Sequence, residues 1–159
     1  MRQSLHELAA MYQDNLFAVA FNICQNTRDA EDVIQDTFVQ YYTTKKEFDS
    51  EEHIRAWLIR VAVNKAKNVT RTFWRRNKVS IEDFTEMLAF ETPKSETLFE
   101  TVMQLPEKYR IVIHLYYYED YSVGEIAKIL KLSESNVKTR LMRGRAKLRE
   151  VLKEDWDDD

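Results

Sequence analysis

Two glycines and two prolines among 159 residues leave this chain little with which to stop a helix. Glycine supplies the positive φ angles of tight turns, and proline ends helices and central strands. A fold of many short strands needs such residues at its turns, so the composition argues against it. Glycine-rich phosphate cradles, which need close backbone approach, are all but excluded on the same ground. Apolar residues meanwhile recur at helical spacing along most of the chain. One series runs Leu5, Leu8, Tyr12, Leu16, Val19, Ile23. A second runs Ala30, Val33, Ile34, Phe38, Tyr41/Tyr42. A third runs Ile54, Trp57, Leu58, Val61, Ala62, Ala66, Val69, Phe73. The spacing predicts helices over 4–25, 28–43 and 51–76, with Asp49 or Ser50 as the cap of the third.

Residues 77–97 are acidic, less periodic and contain Thr92-Pro93. They read as a linker, with room for one helical turn at 82–89. So long a connection is uncommon inside one domain and favours two. Helices are expected again over 95–104, 106–119, 122–130 and 134–153. Pro106 suits a first helical position, Ser122 to Glu125 has the capping-box pattern, and Ser133 can cap the last helix. The expected architecture is all-α: two small helical domains, 1–78 and 98–153, joined by a flexible linker at 79–97 and followed by an acidic tail at 154–159.

The formal net charge of −3 conceals a mosaic. Residues 64–78 carry six basic and no acidic side chains, and residues 131–153 carry eight against two. Each of these segments is therefore +6, with acidic stretches elsewhere. Local fields rather than net charge decide what binds, and two basic segments can neutralise two patches of phosphate. The acidic end, EDWDDD, reads as a solvated terminus, with competition against DNA for the preceding basic helix as a further hypothesis. One cysteine excludes an internal disulfide and the usual zinc sets. No run approaches the ~20 apolar residues of a membrane span, and the N-terminus lacks a signal-peptide pattern. A cytoplasmic protein without cofactor or metal is expected.

Residues 122–149 read SVGEIAKILKLSESNVKTRLMRGRAKLR. A short helix with Ile126, Ala127 and Leu130 inward, a three-residue turn, and a longer helix with Val137, Leu141, Gly144 and Leu148 inward follow helix-turn-helix logic. Ala127 is small where two helices would cross. Gly144 costs a helix about 1 kcal/mol relative to alanine, and its place on the apolar stripe predicts close packing. The second helix turns Lys138, Thr139, Arg140 and Arg143 outward, with Arg145, Lys147 and Arg149 behind. Arginine can fork to guanine, and both cations can pair with phosphates.

In DAEDVIQDTF (29–38), Asp32 and Asp36 share a helix face, and like charges at that spacing call for a basic partner. A solvated acidic face and a carboxylate metal site are the alternatives, although no histidine supports the latter. Residues 56–78 interleave Trp57, Phe73 and Trp74 with Asn64, Asn68 and, from residue 64 on, six basic residues. Aromatics can stack on unpaired bases and amides can read their edges. Trp57, on the apolar stripe, is expected in the core, and Cys24 as a packed small hydrophobe. Tyr116, Tyr117 and Tyr118 are expected as core and domain edge. The three histidines are scattered without metal-like spacing.

Taken in order, DAEDVIQDTF, AWLIRVAVNKAKN, LPEKYR and SxxEIAxxLxLSxxxVKTRLxRGRxxLR resemble the extracytoplasmic-function sigma factors of bacteria, over roughly 130 of 159 residues. The resemblance implies a promoter-specificity subunit of RNA polymerase without a catalytic site of its own. Helix 28–43 would dock on the β′ clamp helices through Asp32, Gln35, Asp36 and Phe38. Helix 51–76 and the loop before it would hold the melted −10 strand, with Asn64, Lys65, Lys67, Asn68, Arg71, Arg75 and Arg76. Helix 106–119 would join in holding the β flap. The last helix would read the −35 duplex with Ser135, Lys138, Thr139, Arg140, Arg143 and Arg145. The implied partners are core RNA polymerase, promoter DNA and an anti-sigma factor, with no membrane insertion. Two other classes remain: a free-standing dimeric repressor, and an all-helical enzyme with a metal on Asp32 and Asp36.

Overall fold

The computed structural model describes residues 3–73 and 93–156. The helical turn expected at 82–89, most of the expected linker, and Trp74, Arg75 and Arg76 lie outside them. The described residues form seven helices and no strand: α1 Leu5–Cys24, α2 Thr27–Thr43, α3 Glu51–Phe73, α4 Pro93–Met103, α5 Glu107–Ile113, α6 Val123–Leu130 and α7 Glu134–Trp156. A π-helical turn, His114–Tyr118, continues α5. The chain divides into two compact units, Met1–Lys78 and Val79–Asp159.

In the first unit each of the three helices packs on the other two. Ser4 caps α1, its hydroxyl accepting from the Glu7 amide at 3.2 Å. Gln25 ends that helix in the left-handed region, at φ 52°. Asn26 then caps α2, its buried side chain accepting from the Asp29 amide at 2.9 Å. Leu8, Leu16, Val19, Ala30, Val33, Ile54, Leu58 and Ala62 make the buried layer. The α2–α3 connection adds Phe48, fully buried between Tyr41 and Trp57, with ring centroids 5.7 and 5.5 Å away. Trp57 is core, as its stripe position predicts. Cys24 is buried too, its thiol 3.8 Å from the Ala66 carbonyl. The paired reading of Tyr41 and Tyr42 is corrected. Tyr41 is buried, and its hydroxyl accepts from the Gln3 amide and donates to the Gln3 carbonyl, whereas Tyr42 is 72% exposed. Adjacent helical positions lie about 100° apart, so one apolar stripe cannot take both.

In the second unit α7 packs on α4, α5 and α6. α4 begins at Pro93, inside the stretch read as linker; a first helical position needs no amide donor, so proline is at home there. Pro106 stands just before α5 rather than within it. Arg110 is buried and donates from its guanidinium to the Leu105 carbonyl at 3.0 Å, tying α5 to the turn before it. The expected helix 106–119 gives way at His114, where the Glu119 amide reaches the His114 carbonyl at 3.2 Å, five residues back. Ser122 and Glu125 form the expected reciprocal cap of α6, at 3.2 and 3.0 Å. Lys131 then turns the chain at φ 58°, and Ser133 caps α7 by accepting from the Asn136 amide at 3.0 Å. A Cβ built on Gly144 would stand 2.6 Å from Ile113 Cδ1 and 3.4 Å from Tyr109 Cβ. The close approach expected of Gly144 is therefore the seat of α7 on α5. α7 runs to Trp156, three residues beyond its predicted end, and takes the first half of the acidic terminus into the helix.

Candidate nucleic-acid interface

α3 is positioned from its first turn. Ser50 Oγ accepts from the His53 amide at 3.1 Å, and His53 Nδ1 accepts from the Asp49 amide at 3.0 Å. Tyr12 donates its hydroxyl to Glu51 Oε1 at 3.1 Å, which ties the same turn to α1. Burial first, then this contact with a carboxylate, pushes the Tyr12 pKa up and keeps the phenol protonated. With one side of α3 committed to Ile54, Leu58 and Ala62, the opposite side is left to solvent.

That outer side carries Arg60, Asn64 and Asn68, all exposed, at successive four-residue steps, with half-buried Lys67 beside them. Lys65 is half-buried and rotated away from Asn64 by one helical position. Arg71 lies in the last turn of α3. Arg60 escaped the sequence reading, which began the basic segment at residue 64. Its signal was the four-residue step to Asn64.

On α2, Asp32, Gln35 and Asp36 are exposed and lie on one face. Phe38 is half-buried and points off that face. Val39, 59% exposed, and Tyr42 continue the face instead. The result is an acidic patch with an apolar extension, suited to a protein groove of opposite charge.

On α7, Ser135, Lys138 and Arg143 are exposed, and Thr139 and Arg140 are half-buried. Arg140 Nε donates to Asn136 Oδ1 at 3.0 Å, one turn back. That contact holds the guanidinium while its two terminal nitrogens keep the fork that matches a guanine edge. Met142 is exposed within this strip and offers an apolar contact that the charge pattern did not reveal. Arg145 is set apart from the others. It donates from Nε to the Tyr117 hydroxyl, and its guanidinium lies 5.4 and 5.5 Å from the Tyr116 and Tyr117 ring centres. Of the three tyrosines expected as core and domain edge, Tyr116 is half-buried and Tyr117 and Tyr118 are about half exposed, on the π-helical turn.

Among the described residues no cluster of histidine, cysteine and carboxylate side chains could hold a metal ion. Nor is any described helix long and apolar enough to cross a membrane.

The two units match two family models. Residues 8–78 match sigma-70 region 2, and residues 95–148 match sigma-70 region 4. The RNA polymerase sigma factor YlaC of Bacillus subtilis is 30% identical, with 93% of this chain and 91% of that protein covered. The ECF RNA polymerase sigma factor SigW of the same organism is 27% identical over 93% of this chain and 88% of its own length. Among solved structures, CnrH in complex with the cytosolic domain of CnrY is 29% identical, with a TM-score of 0.68 over 95% of this chain and 88% of that one. The sigma factor RpoE in complex with the anti-sigma factor NepR from Bartonella quintana shares the fold, with a TM-score of 0.72 and 21% identity over 93% of this chain and 96% of that one. With both region models matched in order on two helical units, the chain belongs to the extracytoplasmic-function sigma factors, which bind core RNA polymerase and direct it to promoters by −10 and −35 recognition.

Proposed function

We propose that the two basic helices divide promoter recognition, and that residues 1–78 and 98–153 are the working domains. The observation that carries this reading is the pairing of an outward polar and basic strip with a capped, rigidly seated helix in each unit. On α3, Asn64 and Asn68 read unpaired −10 bases, while Arg60, Lys65, Lys67 and Arg71 hold the strand's phosphates. Arg75 and Arg76, just beyond the described helix, extend the same basic run. On α7, Arg140 and Arg143 read the −35 duplex, with Ser135, Lys138 and Thr139 fixing register on its backbone. Arg145, held on two tyrosines, braces α7 against the π-helical turn. Asp32, Gln35 and Asp36, extended by Val39 and Tyr42, dock on a basic face of the polymerase β′ subunit, with Phe38 supporting that helix from behind.

The chain lends recognition and leaves the chemistry to the polymerase, in the cytoplasm where that enzyme works. An anti-sigma partner is supported by the sigma factor RpoE, solved in complex with the anti-sigma factor NepR. The test is run-off transcription with core polymerase and mapping of the starts after overexpression. Asp32→Lys with Asp36→Lys should abolish specific transcripts and co-purification with core polymerase. Sedimentation showing a DNA-bound homodimer without polymerase would favour a repressor instead.

A further inference from the structure

We infer that His53 is a base-reading group of the −10 site, presenting a hydrogen-bond donor of fixed tautomer to an unpaired base. The inference rests on the assignment of α3 to the −10 strand. His53 opens α3 and is separated by seven residues from Arg60 and by eleven from Asn64, so all three fall on one side of the helix. Its Nδ1 accepts the Asp49 amide at 3.0 Å. A nitrogen that accepts cannot carry a proton, so Nε2 is the donor of the ring. The ring stands edge-on to buried Phe48, centroids 5.2 Å apart, and its own amide is held by Ser50. Backbone and ring are thus fixed, while about a third of the side chain (34%) faces solvent.

The surroundings select the ligand atom. Asp49, Glu51 and Glu52 lie within four residues of His53 and would repel a phosphodiester. A ring donor flanked by carboxylates suits an uncharged acceptor on a base edge, such as a pyrimidine carbonyl or a purine ring nitrogen. The phosphates are left to Arg60 and Lys67, about two and four turns further along α3.

The test uses holoenzyme assembled with core polymerase. The probe is the unpaired −10 strand of a promoter mapped by the transcription experiment, with each base substituted in turn. His53→Glu keeps a capping acceptor and removes the outward donor; His53→Leu removes both. At one strand position the wild-type preference among the four bases should fall about tenfold in both variants, with ratios elsewhere unchanged. Base ratios are insensitive to any uniform loss from the added charge or the lost cap. Ratios unchanged at every position in both variants would overturn the inference. If Asn64→Ala alters ratios and neither His53 variant does, the failure is confined to His53. If wild type discriminates at no position, the assignment of α3 itself fails.

Discussion

α3 and α7 are both 23-residue helices with a basic outer side, yet they are seated and furnished in opposite ways. α3 rests on bulk: Phe48, Tyr41 and Trp57 fill the space beneath its first turns. α7 rests on an absence, the missing side chain of Gly144 against Ile113 and Tyr109. α3 offers an open strip of amides and cations, suited to a flexible single strand. The arginines of α7 are sorted in advance, Arg140 by Asn136 and Arg145 by two tyrosines. A rigid duplex rewards that preorganisation, because little side-chain entropy is left to lose on binding.

The contrast can be broken from either end. Phe48→Ala should cost about 4 kcal/mol through the cavity it leaves, and denaturant melts of the full chain should show it. A loss under about 1 kcal/mol would mean that the connection collapses onto α3 and that bulk is not its seat. Gly144→Leu should cost about 3 kcal/mol by forcing α7 off α5, while Gly144→Ala stays near neutral, its helix propensity offsetting a small shift of Ile113. Equal stability of all three would remove the contrast.

Acid should also separate the two units. Burial lowers the His114 pKa to about 4, despite Glu119 Oε2 at 3.9 Å from Nε2. The ordinary value near 6.5 applies once the chain unfolds. Above pH 6.5 both states are neutral and this group has no effect. As pH falls from 6.5 towards 4 only the unfolded state takes the proton, so stability drops by on the order of 3 kcal/mol. Melts across that range should show the α5–α7 unit weakening, and His114→Leu should flatten its share of the slope.

Smaller effects test the sorting of arginines. Arg140→Ala should weaken and relax −35 binding by about 2 kcal/mol, with Asn136→Ala giving a fraction of that loss. An unchanged footprint in both would remove Arg140 from the reading set. Arg145→Ala should cost stability by about 1 kcal/mol through its lost ring contacts and leave base preference unchanged. A change in −35 preference would return Arg145 to the reading set and undo the contrast.

The fold was legible wherever period and cap agreed. Ser122, Glu125 and Ser133 announce the two helices they start, and Gly144 stands out as a costly residue on an apolar stripe. Legibility failed where the period changes. A π-helical turn spends extra residues per turn, so a 3.6-residue template carried through His114–Tyr118 cannot sort which tyrosines are core and which are edge. The tyrosine contact of Arg145 was not legible for a related reason: its partner lies 28 residues away, beyond any local pattern. The face of α2 was half legible, since its acids are local but the exposure of Val39 and Tyr42 depends on how α1 and α3 cover their neighbours.

The extension of α7 to Trp156 sets the acidic end in line with the basic helix. Arg143 lies thirteen residues before Trp156, about 20 Å along the helix at ~1.5 Å per residue. α7 becomes a polar rod, basic along its reading half and negative at its C-terminal end, where the backbone dipole has the same sign. Such a rod behaves as a compass needle near DNA: the duplex draws one end and repels the other, so orientation is selected before contact. Shortening the needle by deleting 154–159 should therefore alter how fast the helix finds its groove more than how long it stays.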